Sequence, residues 1–491
     1  MIASSELSDV EPLLAGLREA TGVELKMDYR GTLDASDAIV DGTAKSDLAW
    51  LASDKFLSLK LDELGKPRLP RESIAYSPVV FGIKRSVAQR LGWSSGARVT
   101  WGQIAAKAGA DELTFGMASP DTSHSGFAAV LGAAAAFANT GAALQANQVD
   151  GAKLTDLFKG QMLTAGTSAW LVDTYVDDPA AVDGLVNYES VLTSLNASGK
   201  LAEPLDLVYP ADGVTTADYP LLLLDQSKQD AYRKVVEYLR GATAQQDLTD
   251  RSFRRPTNRT VAANPRVAAV YAGELPFPAN QDVVDELINA YRTTYRRPAH
   301  AIYVLDFSIS MATGGRIEAL RSAFANLSGA DKSRLGRAAE FRDREKITIV
   351  PFAGAVQPEQ TVVVDKDDPA PVTRINSLVE STPLTDGTAV WSALERAYVL
   401  AADSVATHDY LVSIVLMTDG DRNMGTELPA LLDGLKALPE PVRHVRTFPI
   451  RFGEANASAL NEIATLTGGK AFDARSDDEL RRVFTEIRGY L

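Results

Sequence analysis

Cysteine is absent from this sequence of 491 residues, and histidine occurs only four times. The absence of cysteine excludes disulfides, thiolate metal sites and cysteine nucleophiles. The four histidines are widely separated along the chain, so a zinc site built from histidine is not expected. Any metal site is therefore expected to use oxygen ligands.

Long apolar runs and an excess of positive charge are also missing. The most continuous apolar run, "AVLGAAAAFA" at 129–138, falls short of the roughly 20 residues that span a bilayer. The net charge of -14 repels phosphate backbones, so no nucleic-acid partner is expected. The basic run "RSFRRPTNR" at 251–259 is interpreted as cations that follow a helix C-terminus.

The length predicts two or three folding units. Residues 1–285 alternate helices with short strands, such as "VELKMDY" at 23–29, and 286–299 is predicted to be a linker helix. The region 300–491 is predicted to contain strand 301–306, helix 316–327, strands 346–352 and 360–364, helix 389–403, strand 410–417, helix 427–438, strand 443–450, helix 458–466, strand 470–473 and helix 477–489. This alternation predicts an α/β fold with a doubly wound, mostly parallel sheet.

Oxygen-bearing side chains follow two predicted strands of the second region. Asp306, Ser308 and Ser310 occupy alternate positions after its first strand. Asp419 follows a later apolar strand, and Thr388 begins the helix between them. Because loops at the carboxyl ends of parallel strands meet at one edge of an open sheet, we expect these five residues to lie together.

Two carboxylates and several hydroxyls suit Mg²⁺ or Mn²⁺ with bound water better than a carboxylate-rich Ca²⁺ cage. Such a site is coordinatively incomplete and could accept a carboxylate from another molecule. The alternative is that these residues only cap the turns after their strands. The neighbouring Thr385 and Asp386 are assigned to the second shell or to the turn.

The three motifs D-x-S-x-S, G-T and T-D-G, in this order, resemble the von Willebrand factor type A domain over residues 298–491. The resemblance implies a Rossmann-like domain with a metal-ion-dependent adhesion site (MIDAS) that holds Mg²⁺, Mn²⁺ or Ca²⁺. It also implies a protein partner that supplies an Asp or Glu to the metal. The five side chains above match the family's ligand positions.

Hydroxyl-rich loops stand at predicted helix starts in the first 285 residues, in "ASSEL", "RGTLDA" and "MASPDTSHSGF". Free N–H groups at a helix N-terminus favour an anionic ligand group. The alternative is that each serine caps only its own helix.

The order of these loops resembles the type 2 periplasmic solute-binding proteins, through segments such as "IAYSPVVFGIK", "SPDTSHSGF" and "QQDLTDRSFRRP". The resemblance implies a two-lobed module with a small ligand, such as an anion, in the cleft. Lobe I would comprise about 1–75 and 210–285, and lobe II about 76–209. The implied ligand contacts are Ser5, Thr32, Ser53, Ser123 and Tyr188.

Together these features predict a non-enzymatic extracytoplasmic binding protein, secreted or anchored, whose signal or anchor is missing from this sequence. Membrane contact is expected only through that anchor. The alternatives are a subunit of a cytoplasmic ATP-driven or metal-handling assembly and a solute receptor of an ABC transporter. The chain contains no G-x-x-x-x-G-K-[ST] phosphate loop. His124 stands between Ser123 and Ser125, close to Asp121, but sequence neighbours rarely form a catalytic triad.

Overall fold

A computed structural model describes residues 1–93, 96–269, 273–278, 280–331, 339–407, 409–453 and 455–488. The chain forms two compact units, Met1–Arg296 and Arg297–Leu491. In the described ranges, no helix combines the length and apolar character needed to cross a membrane.

The first unit is built on two sheets. Its strands are β1 (Ile2–Ser4), β2 (Asp28–Arg30), β3 (Leu48–Trp50), β4 (Arg71–Ser73), β5 (Ala75–Lys84), β6 (Phe115–Ala118), β7 (Gln161–Ala165), β8 (Gly184–Tyr188), β9 (Leu205–Val208), β10 (Thr216–Ala217), β11 (Pro220–Leu223) and β12 (Arg255–Pro256). Its α-helices are α1 (Glu11–Thr21), α2 (Thr32–Val40), α3 (Lys55–Glu63), α4 (Arg85–Arg90), α5 (Trp101–Gly109), α6 (His124–Ala138), α7 (Gly151–Lys159), α8 (Ser168–Asp177), α9 (Glu189–Ala197), α10 (Gln229–Arg240), α11 (Ala242–Ser252) and α12 (Gln281–Ala290).

The first sheet has the order β2-β1-β3-β11-β4, and the second follows β10-β5-β8-β6-β7, with β9 and β12 also paired to β5. The chain leaves the first sheet after β4 and returns to it with β11, which runs antiparallel to β3 and β4. We call the first sheet with its helices the first lobe and the second sheet with its helices the second lobe. This arrangement confirms the predicted two-lobed α/β module.

The strand predicted over 23–29 is much shorter in the structure. Only Asp28–Arg30 forms a strand, because its partner β1 has just three residues available for parallel pairing. The alternating pattern in the sequence is therefore longer than the strand, because only three of its neighbours in β1 are available to pair with it.

The segment predicted as a linker helix belongs largely to the first unit. Helix α12 buries an apolar face of Val283, Val284, Leu287 and Ile288 in that unit's core, since these residues recur at helical spacing. It packs against α3 of the first lobe and α6 of the second. A π-helical turn follows at Tyr291–Tyr295.

The second unit contains strands β13 (Ala299–Asp306), β14 (Lys346–Phe352), β15 (Gln360–Val363), β16 (Leu411–Thr418), β17 (Arg446–Phe452) and β18 (Phe472–Ala474). Its α-helices are α13 (Arg316–Leu327), α14 (Ala370–Ser381), α15 (Val390–Thr407), α16 (Leu428–Ala437), α17 (Glu440–Arg443), α18 (Ala457–Leu466) and α19 (Asp477–Arg488). The sheet order is β15-β14-β13-β16-β17-β18, and all neighbours are parallel except β15.

This unit confirms the doubly wound, mostly parallel sheet that the sequence predicts. Strand β13 is central and buried throughout, and it pairs with β14 on one side and β16 on the other. The chain order therefore reverses beside β13, which is the position where open α/β sheets form a crevice. The sequence analysis missed α14 and α17, and the strand predicted over 443–450 begins only at Arg446 because α17 ends at Arg443. Residue 489 of the predicted last helix lies outside the described residues.

A buried ion pair joins the last helix to the start of β14. Arg488 donates from Nη2 to Glu345 Oε2 at 2.8 Å, and each side chain is only 2% exposed. Arg488 holds the pKa of Glu345 below its ordinary value against the opposing effect of burial. The pair fixes α19 against the sheet in a place where neither charge can reach water.

Replacing Arg488 with Met is expected to destabilise the protein by about 3–5 kcal/mol, because Glu345 would keep a buried charge without the guanidinium that pairs with it. The matched control is Lys470→Met, which removes a cation from the exposed pair with Glu486 and should cost less than about 1 kcal/mol. Denaturant unfolding of the full chain measures both changes. Equal effects of the two substitutions would contradict this assignment.

Candidate functional site

Asp306 ends the central strand β13 and is fully buried. Its Oδ1 accepts a hydrogen bond from the backbone N–H of Ser308 at 2.8 Å, and its Oδ2 accepts from the Thr418 hydroxyl at 2.6 Å. Burial raises the pKa of Asp306 to about 6, and the nearby Asp419 acts in the same direction, while the bonds from Ser308 and Thr418 oppose it. Asp306 thus fixes the loop after β13 to the end of β16.

A chain of hydroxyls leads from this loop to the second carboxylate. The Oγ atoms of Ser308 and Ser310 lie 2.9 Å apart. Ser310 in turn donates to Asp419 Oδ1 at 2.7 Å. Four of the five predicted metal ligands are therefore joined, directly or through one backbone bond, at the carboxyl ends of β13 and β16.

The fifth predicted ligand, Thr388, is held by the loop after β16. Its backbone N–H donates to Asn423 Oδ1 at 2.7 Å. A Cβ placed on Gly420 would lie 3.7 Å from Ser310 Oγ and 4.0 Å from Thr388 Oγ1, so both hydroxyls border the same small space. The structure therefore places all five predicted residues at one edge of the sheet.

The turn at Thr385 and Asp386 supports this edge from the side. The backbone N–H of Thr385 donates to Phe307 O at 3.0 Å, and the N–H of Ile309 donates to Thr385 O at 3.1 Å. Asp386 accepts from the backbone N–H of Gly387 at 2.9 Å. In these contacts Thr385 and Asp386 act as turn residues.

The chemistry of this donor set fits a small divalent cation. Over the residues that the structure describes, no group of three or more His, Cys, Asp or Glu could hold a metal. The set instead combines two carboxylates with three hydroxyls, and such hard oxygen donors suit Mg²⁺ or Mn²⁺ with retained water. Asp306, Ser308, Ser310, Thr388 and Asp419 are the residues that would hold it.

Arg316 is a neighbour that the sequence analysis did not anticipate. Its Nη1 donates to Asp419 Oδ2 at 2.6 Å, so this carboxylate has a partner on each oxygen. The sequence offered little signal, because a helix-start arginine ten residues after Asp306 resembles any surface cation.

In the first unit, the hydroxyls predicted to bind a ligand are satisfied within the protein. Thr32 Oγ1 lies 2.5 Å from Ser4 Oγ, and Ser4 also accepts from the Ala52 N–H at 2.8 Å. Ser53 is buried and accepts from the Lys55 N–H at 3.3 Å. Ser5 is half-buried beside Glu6.

Ser123 belongs to a group of three buried serines in the second lobe. Its Oγ lies 3.2 Å from the Oγ atoms of both Ser125 and Ser168, which are 2.8 Å from each other. The hydroxyls predicted from the sequence are therefore in two separate groups, one with Thr32 in the first lobe and one with Ser123 in the second.

The loops that carry Thr32 and Ser123 meet directly. The backbone N–H of Leu33 donates to Thr122 O at 3.3 Å. A Cβ at Gly31 would lie 2.2 Å from the same carbonyl oxygen, so only glycine permits this approach. The two lobes are closed upon each other at this point.

His124 does not form a catalytic triad with its sequence neighbours. Its Nδ1 lies 3.2 Å from the Tyr188 hydroxyl, and burial, aided by Lys55, lowers its pKa to about 3. Asp121 instead accepts from Arg292 Nε at 2.6 Å. Neutral His124 therefore lies beside the predicted ligand residue Tyr188.

A buried polar cluster that the sequence analysis missed lies beside Tyr188, whose ring centre is 6.0 Å from that of Tyr219. Arg254 has no exposed surface; it donates to both oxygens of Asp9 at 2.8 and 2.7 Å and lies 4.7 Å from the centre of the Tyr219 ring. Three buried polar atoms of the cluster have no hydrogen-bond partner among the described residues: Glu6 Oε1, Tyr219 Oη and Arg254 Nε. Arg254 comes from the basic run at 251–259 and, being buried, is not part of any cationic surface that the run presents.

Glu6 contributes a carboxyl group to this cluster from the loop after β1. Burial raises the pKa of Glu6 to about 7, and Asp9 adds to the increase, while Glu6's own backbone, Arg254 and Ser5 oppose it. The folded protein therefore binds a proton at Glu6 more tightly than the unfolded chain, whose carboxyl titrates near 4.5. The contribution of the protonated Glu6 carboxyl to the free energy of unfolding is fully present below about pH 4.5. It is lost as the pH rises through 7.

Glu6→Gln is accordingly expected to match the wild type near pH 4 and to exceed its stability by roughly 2–3 kcal/mol near pH 8. Denaturant unfolding of the full chain across this range measures the difference. Glu237→Gln, at an exposed position of α10, is the control and should show no such trend. A constant difference between Glu6→Gln and wild type at all pH values would contradict the buried-carboxyl assignment.

Comparison with known proteins gives results for both units. The family model for the von Willebrand factor type A domain matches residues 302–486. A solved von Willebrand factor type A protein from Catenulispora acidiphila is 17% identical, with a TM-score of 0.32. The alignment covers 40% of this chain and 43% of that protein's chain. No curated protein sequence is similar to the chain.

Two solved binding proteins are similar over a larger part of the chain. The periplasmic binding protein AfuA from Actinobacillus pleuropneumoniae, solved with fructose-6-phosphate, is 13% identical with a TM-score of 0.47, and covers 59% of this chain and 96% of its own. A ferric binding protein from Campylobacter jejuni is 14% identical with a TM-score of 0.44. The alignment covers 58% of this chain and 95% of the ferric binding protein.

The family match and the sheet topology agree on the second unit. Its central strand, its reversal of chain order beside β13 and its three oxygen-bearing loops all lie in the matched segment. Residues 302–486 therefore match the von Willebrand factor type A family in both sequence and fold, and they follow a two-lobed α/β module.

Proposed function

We propose that this chain is a non-enzymatic, extracytoplasmic binding protein whose von Willebrand factor type A domain docks a protein partner through a divalent cation. The observation that carries the proposal is the meeting of three loops at the carboxyl edge of the second sheet. There the Ser310 and Thr388 hydroxyls border one small space and Ser310 donates to Asp419. Asp306 lies buried beneath the same loop, where it accepts from the backbone N–H of Ser308. An Asp or Glu of the partner would complete the coordination of the cation.

The surface around this edge supports docking. Ile309 lies between the two serines and is 56% exposed, and Met424 is 49% exposed beside the Thr388 loop. The Met424 Sδ atom lies close to the backbone of Gly387. Apolar side chains that are exposed to solvent next to a cation site would contact the apolar part of a docked protein segment.

The two-lobed module is proposed to bind a small ligand at the junction of its lobes. Thr32 and Ser123 come from the two loops that meet there, and Tyr188 lies in the buried cluster with unpaired polar atoms. Opening of the lobes would expose these hydroxyls and the N-termini of α2 and α6, which favour an anionic group.

Divalent cations are expected to stabilise the wild-type chain. Mg²⁺ or Mn²⁺ at 100 times its dissociation constant should add about 2.7 kcal/mol, which raises the melting temperature of the second unit by about 5–10 °C. Asp306→Ala should abolish this response because it removes the buried carboxylate. Thermal unfolding with cation and with chelator measures the shift.

The matched control is Asp367→Asn. This exposed residue follows β15, whose last residue pairs with the first residue of β14, so it lies at the opposite edge of the sheet. It should keep the full cation response. Loss of the response in both variants, or its absence from the wild type, would contradict the proposal, and a response only to small solutes would favour a solute receptor.

A further inference from the structure

Arg316 is held in place by three separate elements of the second unit. It is the first residue of α13 and follows Gly314 and Gly315, which both adopt left-handed conformations. Its guanidinium contacts Asp419 after β16 and reaches the backbone of Gly453 after β17. The side chain is only 22% exposed.

Gly453 makes room for this arrangement. A Cβ at that position would lie 2.8 Å from Arg316 Cζ and 3.0 Å from its Nη2. Its φ of +121° is also a conformation that residues with side chains rarely adopt. The backbone is thus shaped to receive the guanidinium beside Asp419.

The position of Arg316 affects the charge of the site. Asp306 and Asp419 together balance a divalent cation, so a site with only these charges would be neutral when loaded. Arg316 adds one positive charge, which repels the entering cation and attracts a carboxylate afterwards.

We propose that Arg316 sets the balance between the two binding steps of this site: it weakens the binding of the cation and strengthens the binding of a carboxylate to the loaded site. This inference rests on the proposed function. Arg316 is a positioning residue here, because it acts through the charge and the orientation of Asp419. The ligand class is a single carboxylate group of a protein side chain.

Titration of Mn²⁺ into the full chain tests the first step. Arg316→Gln is expected to bind Mn²⁺ about tenfold more tightly than wild type, because the competing cation is gone. Water-proton relaxation of the Mn²⁺ complex then reports the second step, since acetate that replaces bound water lowers the relaxation. Arg316→Gln should need several-fold more acetate than wild type.

Three further variants separate a charge effect from a structural one. Arg316→Lys retains the charge and should restore both affinities toward wild type. Gly453→Ala displaces the guanidinium without removing it and should change both affinities in the direction of Arg316→Gln. Arg321→Gln, on the same helix but bonded to the carbonyls of Val379 and Thr382, should behave as wild type.

The outcomes distinguish this inference from the proposed function. Absence of Mn²⁺ binding in the wild type would contradict the proposed function. Mn²⁺ binding with equal cation and acetate affinities in wild type, Arg316→Gln and Gly453→Ala would overturn only the role of Arg316. Weaker Mn²⁺ binding in Arg316→Gln would also overturn it, because Arg316 would then support the site.

Discussion

The buried carboxylate of Asp306 is the group on which the candidate site depends. A carboxylate without access to water must find hydrogen-bond donors, and Asp306 finds them in the Ser308 backbone and the Thr418 hydroxyl. These bonds turn the chain sharply after β13 and bring Ser308 and Ser310 over the end of β16. Parallel pairing of β13 with β16 then places Asp419 within reach of Ser310.

The buried polar groups of the first unit are stabilised in a different way. Its lobes meet through the backbone hydrogen bond from Leu33 to Thr122, and Arg254 is neutralised by Asp9 in the buried cluster beside Tyr188. Glu6 and His124 have pKa values shifted in opposite directions, so both are uncharged in the folded protein between about pH 3 and 7. A junction with little net charge can close without leaving an isolated ion in an apolar core.

Much of the second unit could be predicted because its signals are local. The apolar strands before Asp306 and Asp419 and the motifs after them define both the elements and the edge where they meet. The role of Arg316 could not be predicted, since the place of its guanidinium depends on Gly453, more than one hundred residues later. The packing of α12 into the first unit and the pairing of Ser123 with Ser168 are likewise tertiary contacts with no local pattern.

The central claim is that the edge formed by β13 and β16 binds a divalent cation. Crystals of the full chain grown with Mn²⁺ and measured at the manganese absorption edge test it most directly. We expect an anomalous peak bounded by Ser308, Ser310 and Thr388, with the bond between the two serine hydroxyls broken. Absence of a peak there, with Ser308 still bonded to Ser310 and Ser310 to Asp419, would contradict it.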